Sequence, residues 1–238
     1  MWLVVATAWA GAWVPAPGHG YAKLGGGAAI GAESRWTGLS AYVEVGLPAG
    51  FALVASAPVG VSAAAQGGVV YRRWAVGDAT VGLSRRVLPT ASVSVVAKIP
   101  GYGDGPLAAY GTLAPRFPQP GDGQVDLDLR ADVGRSLRIG AADGWVQVGG
   151  GWRHRDGPPV DGVLASAELG VNGPGFAVVR ASAVVNPVPD ADTDQWLKLG
   201  VGVGVGTRTR VEGWIDDTRL ASPTARGTSA GLGLSYTW

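Results

Sequence analysis

Residues 125–133 read Val-Asp-Leu-Asp-Leu-Arg-Ala-Asp-Val, and no other stretch restricts the fold so strongly. A β-strand sends successive side chains to opposite faces, so this segment has one face of Val, Leu, Leu, Ala and Val and another of Asp, Asp, Arg and Asp. A helix would scatter those charges around its axis. The same rule recurs. Leu39, Ala41, Val43 and Val45 alternate with Ser40, Tyr42, Glu44 and Gly46; Leu197, Leu199, Val201, Val203 and Val205 alternate with Lys198, Gly200, Gly202 and Gly204; Ala230, Leu232, Leu234, Tyr236 and Trp238 alternate with Ser229, Gly231, Gly233, Ser235 and Thr237. Gly or Pro interrupts nearly every window after residue 12 that is long enough for a helix. Glycine supplies 40 of 238 residues without a Gly-X-Y period, which excludes collagen.

Twelve strands are expected, near residues 21–29, 39–47, 51–60, 77–87, 91–99, 124–134, 144–153, 162–171, 175–185, 196–207, 210–218 and 227–238. Tight turns (Leu47-Pro48-Ala49-Gly50, Leu88-Pro89-Thr90, Asn172-Gly173-Pro174 and the Thr207–Arg210 corner) alternate with longer links, the longest being Pro100–Gly123. Only Arg135–Asp143 is longer than its place in that pattern predicts. The fold class is therefore all-β: an up-and-down antiparallel transmembrane β-barrel of about 12 strands, spanning residues 13–238 as one domain.

The membrane decides which face is outside. An apolar face of Val, Leu and Ala lacks the bulk to fill a soluble twelve-strand core. With only 16% charged residues and glycine on much of the other face, a soluble barrel this large would carry little to keep it dissolved. The chain stops on Tyr236-Thr237-Trp238, an aromatic ending of the kind outer-membrane barrels present to their assembly machinery. Trp13, Tyr21, Phe51, Tyr102, Trp145 and Phe176 fall near strand ends, where interfacial girdles are expected. The predicted surroundings are the bilayer and lipopolysaccharide of a bacterial outer membrane. Residues 1–12 are expected to be the back half of a signal peptide, because Ala8-Trp9-Ala10 and Ala10-Gly11-Ala12 fit the small-x-small cleavage pattern. On that reading the start codon lies too late and the mature chain begins near Gly11 or Trp13; the alternative is an apolar first strand. The absence of Cys excludes disulfides, thiol catalysis and Cys-based zinc sites, and a net charge of +1 gives no reason to expect nucleic acid.

Several short motifs point the same way. Tyr42-Val43-Glu44-Val45-Gly46-Leu47-Pro48, Val76-Gly77-Asp78 leading to Gly82-Leu83-Ser84-Arg85-Arg86, Lys98-Ile99-Pro100-Gly101, Gln124-Val125-Asp126-Leu127, Gly151-Trp152-Arg153-His154-Arg155 and Leu234-Ser235-Tyr236-Thr237-Trp238 resemble a group of proteobacterial outer-membrane proteins. That group is similar to the channel-like proteins encoded in phenol-degradation pathways. The chain departs from it at Val45, where an aromatic is usual, and at Trp238, where Phe is usual. The resemblance implies a twelve-stranded barrel with a transport role and carries over no catalytic residue.

With the apolar face on lipid, charge must point inward, since a lysine or arginine facing mid-bilayer would cost roughly 2–4 kcal/mol. The lumen-lining candidates are Glu44, Lys98, Asp126, Asp128, Arg130, Asp132, Arg153, Arg155, Glu168 and Arg180, joined by Lys23, Arg86, Lys198, Arg210, Glu212 and Asp216. They predict either a neutralising lattice that braces the wall, or a narrow pore in which the acidic row of residues 126–132 faces Arg153 and Arg155 across a constriction. Enzymatic readings are weak. His154 has outward parity and Ser166 does not, and no carboxylate is placed by sequence to orient the ring. Asp126-x-Asp128 lacks a calcium loop and reads as a strand face, and the glycines of 200–206 precede no helix that would hold phosphate; those glycines are expected to leave lumen space or to lie beneath an aromatic. No cofactor or metal is expected. The function predicted is a passive, porin-like channel for small solutes. The alternatives are a structural or envelope-assembly barrel plugged by the Pro100–Gly123 loop, and a hydrolase at His154.

Overall fold

Period-two alternation runs along the described strands because each has lipid on one side and the lumen on the other. A computed structural model describes residues 12–31, 34–66, 69–101, 124–156, 161–173, 175–185, 196–219 and 227–238. The predicted signal segment up to Gly11, Tyr102 and nearly all of the Pro100–Gly123 loop lie outside the described residues. The strands are β1 (Gly20–Gly31), β2 (Ser34–Leu47), β3 (Phe51–Gln66), β4 (Val69–Val76), β5 (Asp78–Leu88), β6 (Ala91–Pro100), β7 (Asp126–Ile139), β8 (Ala142–Arg155), β9 (Gly162–Asn172), β10 (Gly175–Val185), β11 (Trp196–Gly206), β12 (Thr209–Arg219) and β13 (Gly227–Thr237).

All pairings are antiparallel between neighbours, and β1 with β13 closes the ring. The thirteen segments make twelve staves, because β4 and β5 both pair with β3 and form one stave broken at Gly77. The break has a chemical cause. Pro58, inside β3, has no N–H for the ladder, and the Gly77 amide instead donates to the Pro58 carbonyl at 2.9 Å. Pairing shifts from Ser56↔Thr80 to Val59↔Val76 across this point, which is a β-bulge.

The expected strands are present, and most are longer than alternation alone indicated. The Arg135–Asp143 link is corrected to a two-residue turn. β7 and β8 stay paired through Ile139↔Ala142, and Gly140 takes the left-handed conformation (φ 63°) that closes the hairpin. At the rim both faces meet water, so alternation fades there while the ladder continues. Links at the opposite end are not uniformly long either: two residues separate β1 from β2, and two separate β3 from β4.

Burial is inverted relative to a soluble protein. Leu129, Val205 and Leu232 are 59%, 72% and 69% exposed on the outer face, while Asp126 and Asp216 are 0% and 2% exposed inside. The girdle expectation needs correction. Tyr21, Trp145 and Phe176 point inward, and Trp13 lies inside the barrel over Gly134, because each falls on inner-face parity or precedes the first strand. The outer face carries Phe51, Tyr236 and Trp238 near the turn end, with Tyr236 stacked on Trp238 at 6.1 Å, and Trp74 and Trp152 toward the other end.

Candidate functional site

The interior is lined by a charged wall, a set of aromatics lying on glycines, and a strap of chain across the turn-end mouth. The charged wall is centred on β7 and β8. Their register puts Asp126 opposite Arg155 and Asp128 opposite Arg153. Arg153 grips Asp128 with two bonds, Nε to Oδ1 at 2.7 Å and Nη2 to Oδ2 at 2.8 Å, and reaches Asp126 at 3.5 Å. Asp126 also takes Lys98 of β6 at 2.8 Å and Arg155 at 3.9 Å. Thus the acidic row does not face Arg153 and Arg155 across a constriction, as predicted. These residues are neighbours on one wall, since a two-residue turn joins their strands. At the next two inward positions toward the turn end, Arg130 donates to the Ser166 hydroxyl at 3.3 Å, and Asp132 lies against Gly149.

Glu168 of β9 accepts the Trp145 indole N–H at 2.7 Å and lies opposite Arg180 of β10. Lys198 of β11 pairs with Asp216 of β12 at 3.2 Å. Near the turn end, Glu212 accepts the Tyr21 hydroxyl at 3.0 Å and the Ser235 hydroxyl, and pairs with Lys23 at 2.8 Å; the Lys23 ammonium sits 4.1 Å from the Trp214 ring centre. Tyr42, edge-on to Tyr21, donates to Glu44 at 3.1 Å. Sequence reasoning singled out the charges through parity alone; it missed Tyr21, Trp145, Trp214 and Ser235 as their partners, because parity does not say which neighbour a side chain leans toward.

Glycines on the inner face accept neighbouring side chains. A Cβ on Gly204 would lie 2.3 Å from the Phe176 ring, one on Gly170 2.0 Å from Trp145, and one on Gly231 2.3 Å from Trp214. Between the two expectations for the glycines of β11, the structure selects contact at Gly204. Gly200 similarly yields to the Asp216 carboxylate.

The strap was missed. Residues 12–19 precede β1 and cross the turn-end mouth of the barrel. Ala12 donates its N–H to Gln147 of β8 at 3.0 Å, Trp13 covers Gly134 of β7, and the Val14 carbonyl accepts Arg86 of β5. At its other end, Gly18 donates to the Gly46 carbonyl of β2 at 3.0 Å. Pro15 and Pro17 keep the segment from joining a ladder. Ala12 and Val14 are buried. The available signal was this Pro-spaced apolar run before the first alternating strand.

At the loop end, one expectation about His154 is corrected. A carboxylate does orient the ring: Asp161 lies 3.1 Å from Nδ1, in the link after β8. Asp161 also accepts the Arg155 backbone N–H at 3.0 Å and the Trp152 indole at 3.1 Å. That backbone bond first, then the His154 and Trp152 contacts, hold its carboxyl below the usual carboxylate range. Ser166, however, is on the inner face bonded to Arg130, so the barrel wall separates it from His154.

No protein-family model matches the chain, and no curated protein matches it. Among solved structures, an outer membrane channel from Pseudomonas putida F1 is similar with a TM-score of 0.61 at 10% identity, over 95% of this chain and 97% of that one. The translocator domain of the autotransporter NalP from Neisseria meningitidis aligns with a TM-score of 0.49 at 13% identity, over 92% of this chain and 87% of that one. The fold is that of an outer-membrane β-barrel.

Proposed function

We propose that this protein is a passive channel for small solutes in the outer membrane of a Gram-negative bacterium, and not an enzyme. The observation that carries this reading is the inside-out wall: an exterior with many exposed Val and Leu side chains encloses ion pairs, aromatics and glycine. The resemblance to channel-like proteins of phenol-degradation pathways and the similarity to an outer membrane channel support it. In this proposal Glu44, Lys98, Asp126, Asp128, Arg130, Asp132, Arg153, Arg155, Glu168 and Arg180 line the path. Trp238 is the handle for the assembly machinery, and the segment up to residue 12 is removed as a signal. A plugged barrel without transport is the second reading, favoured by the strap between Gly46 and Gln147.

One measurement separates the two. The chain from Gly11 onward is refolded, checked by its gel shift on boiling, and placed in a planar bilayer beside a form lacking residues 11–17. Discrete conductance steps in both, with larger steps in the shortened form, support a channel narrowed by the strap. Silence of both folded forms overturns the channel reading.

A further inference from the structure

The outer face of the β2–β4 sector carries a pair of arginines that the lumen does not use. Arg35 of β2 lies opposite Ala63 of β3, and Ala63 lies opposite Arg72 of β4. One cross-strand row of the exterior therefore reads Arg–Ala–Arg, with the arginines two strand spacings, about 10 Å, apart. Both are exposed, while their chain neighbours Trp36 and Arg73 turn to the inner side. The row beneath reads Thr37–Val61–Trp74 and the next Leu39–Val59–Val76, so the basic pair caps an apolar column with Trp74, 69% exposed, just below it.

Height places this row. Ala63 is twelve residues along β3 from Phe51 at the turn end. At the usual rise and a tilt near 40°, that is about 30 Å along the barrel axis, against a lipid-facing band about 25 Å tall. Tryptophan favours the membrane interface, and the guanidinium groups above Trp74 therefore reach the headgroup layer. Ala63 leaves open space between them, and the planar guanidinium fork matches phosphate oxygens two at a time.

We propose that Arg35 and Arg72 clamp a phosphate of lipid A, the phosphorylated glycolipid of the outer leaflet, with Trp74 resting against its acyl chains. This rests on the outer-membrane reading above. The test titrates the folded full chain, in micelles of an uncharged detergent, with bisphosphorylated lipid A and follows the temperature at which the gel shift is lost. The wild type gains a saturable rise in that temperature, and neither dephosphorylated lipid A nor inorganic phosphate reproduces it. The double variant R35A/R72A needs about tenfold more lipid A for the same rise, as expected on losing charge-assisted bonds. A second variant, A63E, keeps both arginines but sets a carboxylate between them, and weakens the response likewise. The clamp is overturned if both variants respond as the wild type does, if dephosphorylated lipid A works equally well, or if the wild type does not respond. Cell fractionation separates the two levels: a wild-type chain absent from the outer membrane defeats the location, whereas a chain present there with unaltered variant responses defeats only the clamp.

Discussion

β7 and β11 follow the same alternation and furnish the lumen in opposite ways. β7 brings its own polar groups: Asp126, Asp128, Arg130 and Asp132 all project inward, and the first two are held by cations from β6 and β8. Past Lys198, β11 offers only Gly200, Gly202 and Gly204, and the space above them belongs to Asp216, Val178, Arg180 and Phe176 from its neighbours. The first wall is a lattice of charges fixed by one another. The second is a floor on which side chains from β10 and β12 lie flat. The difference teaches that a bare glycine strand in such a barrel is not evidence of open lumen.

The most severe way to break the contrast is to remove the centre of the lattice. Asp126 is fully buried among Lys98, Arg153 and Arg155, so Asp126→Ala leaves one buried and two largely buried cations without their shared counter-charge. Such a loss costs about 3 kcal/mol or more. Urea unfolding of the refolded barrel, read by tryptophan fluorescence, should show a lowered midpoint with an unchanged slope. Asp128→Asn, which disturbs Arg153 alone among these cations, should cost less. Equal stability of Asp126→Ala and wild type would mean that water, not the carboxylate, balances the three cations.

The floor breaks by the opposite operation, adding atoms. Gly204→Val drives methyl groups into the Phe176 ring and should cost about 2 kcal/mol, the range for overpacking. Adding Phe176→Ala to the Gly204→Val chain should return part of that loss, because the ring is the obstacle. If the double variant is no better than Gly204→Val alone, the glycine is required by the backbone and β11 is not a floor for its neighbour.

These two walls also show what the sequence exposed and why. On β7, composition and position coincide: alternation of Asp and Leu names the strand, its inward face and its charged residues at once. On β11, alternation names the strand, but the occupants of its inner face are encoded on β10 and β12, at positions related only by register. The same limit explains Trp145, whose place near a strand end suggested a membrane girdle although its parity aims it at Glu168. It explains Arg153 and Arg155 too, since their partners on β7 could be assigned only once the turn at Gly140 fixed the pairing. The strap lay furthest from view, because its contacts with Gly134, Arg86 and Gly46 obey no periodicity.

The smallest expected effect sharpens the comparison at the upper end of the β7–β8 wall. Asp161 is a partly exposed acid, unlike the buried Asp126, and is held by a backbone N–H, an indole and an imidazole. Its carboxyl lies below the ordinary range, so the charged form is favoured in the fold. The sign follows from linkage: the stabilisation is complete above the unfolded carboxylate value, about 3.9, and disappears as pH falls through the lower folded value. Because the group is open to water, the consequence is local to the link after β8. The Trp152 indole N–H reports it directly. In 15N NMR of the folded barrel, the movement of that resonance caused by protonation of Asp161 should come below about pH 4. In Asp161→Asn the acid-induced movement should vanish while global unfolding stays within error of wild type. A large global loss in that variant would make this rim acid as integral to the wall as Asp126, and the division between a buried lattice and a dispensable rim would fail.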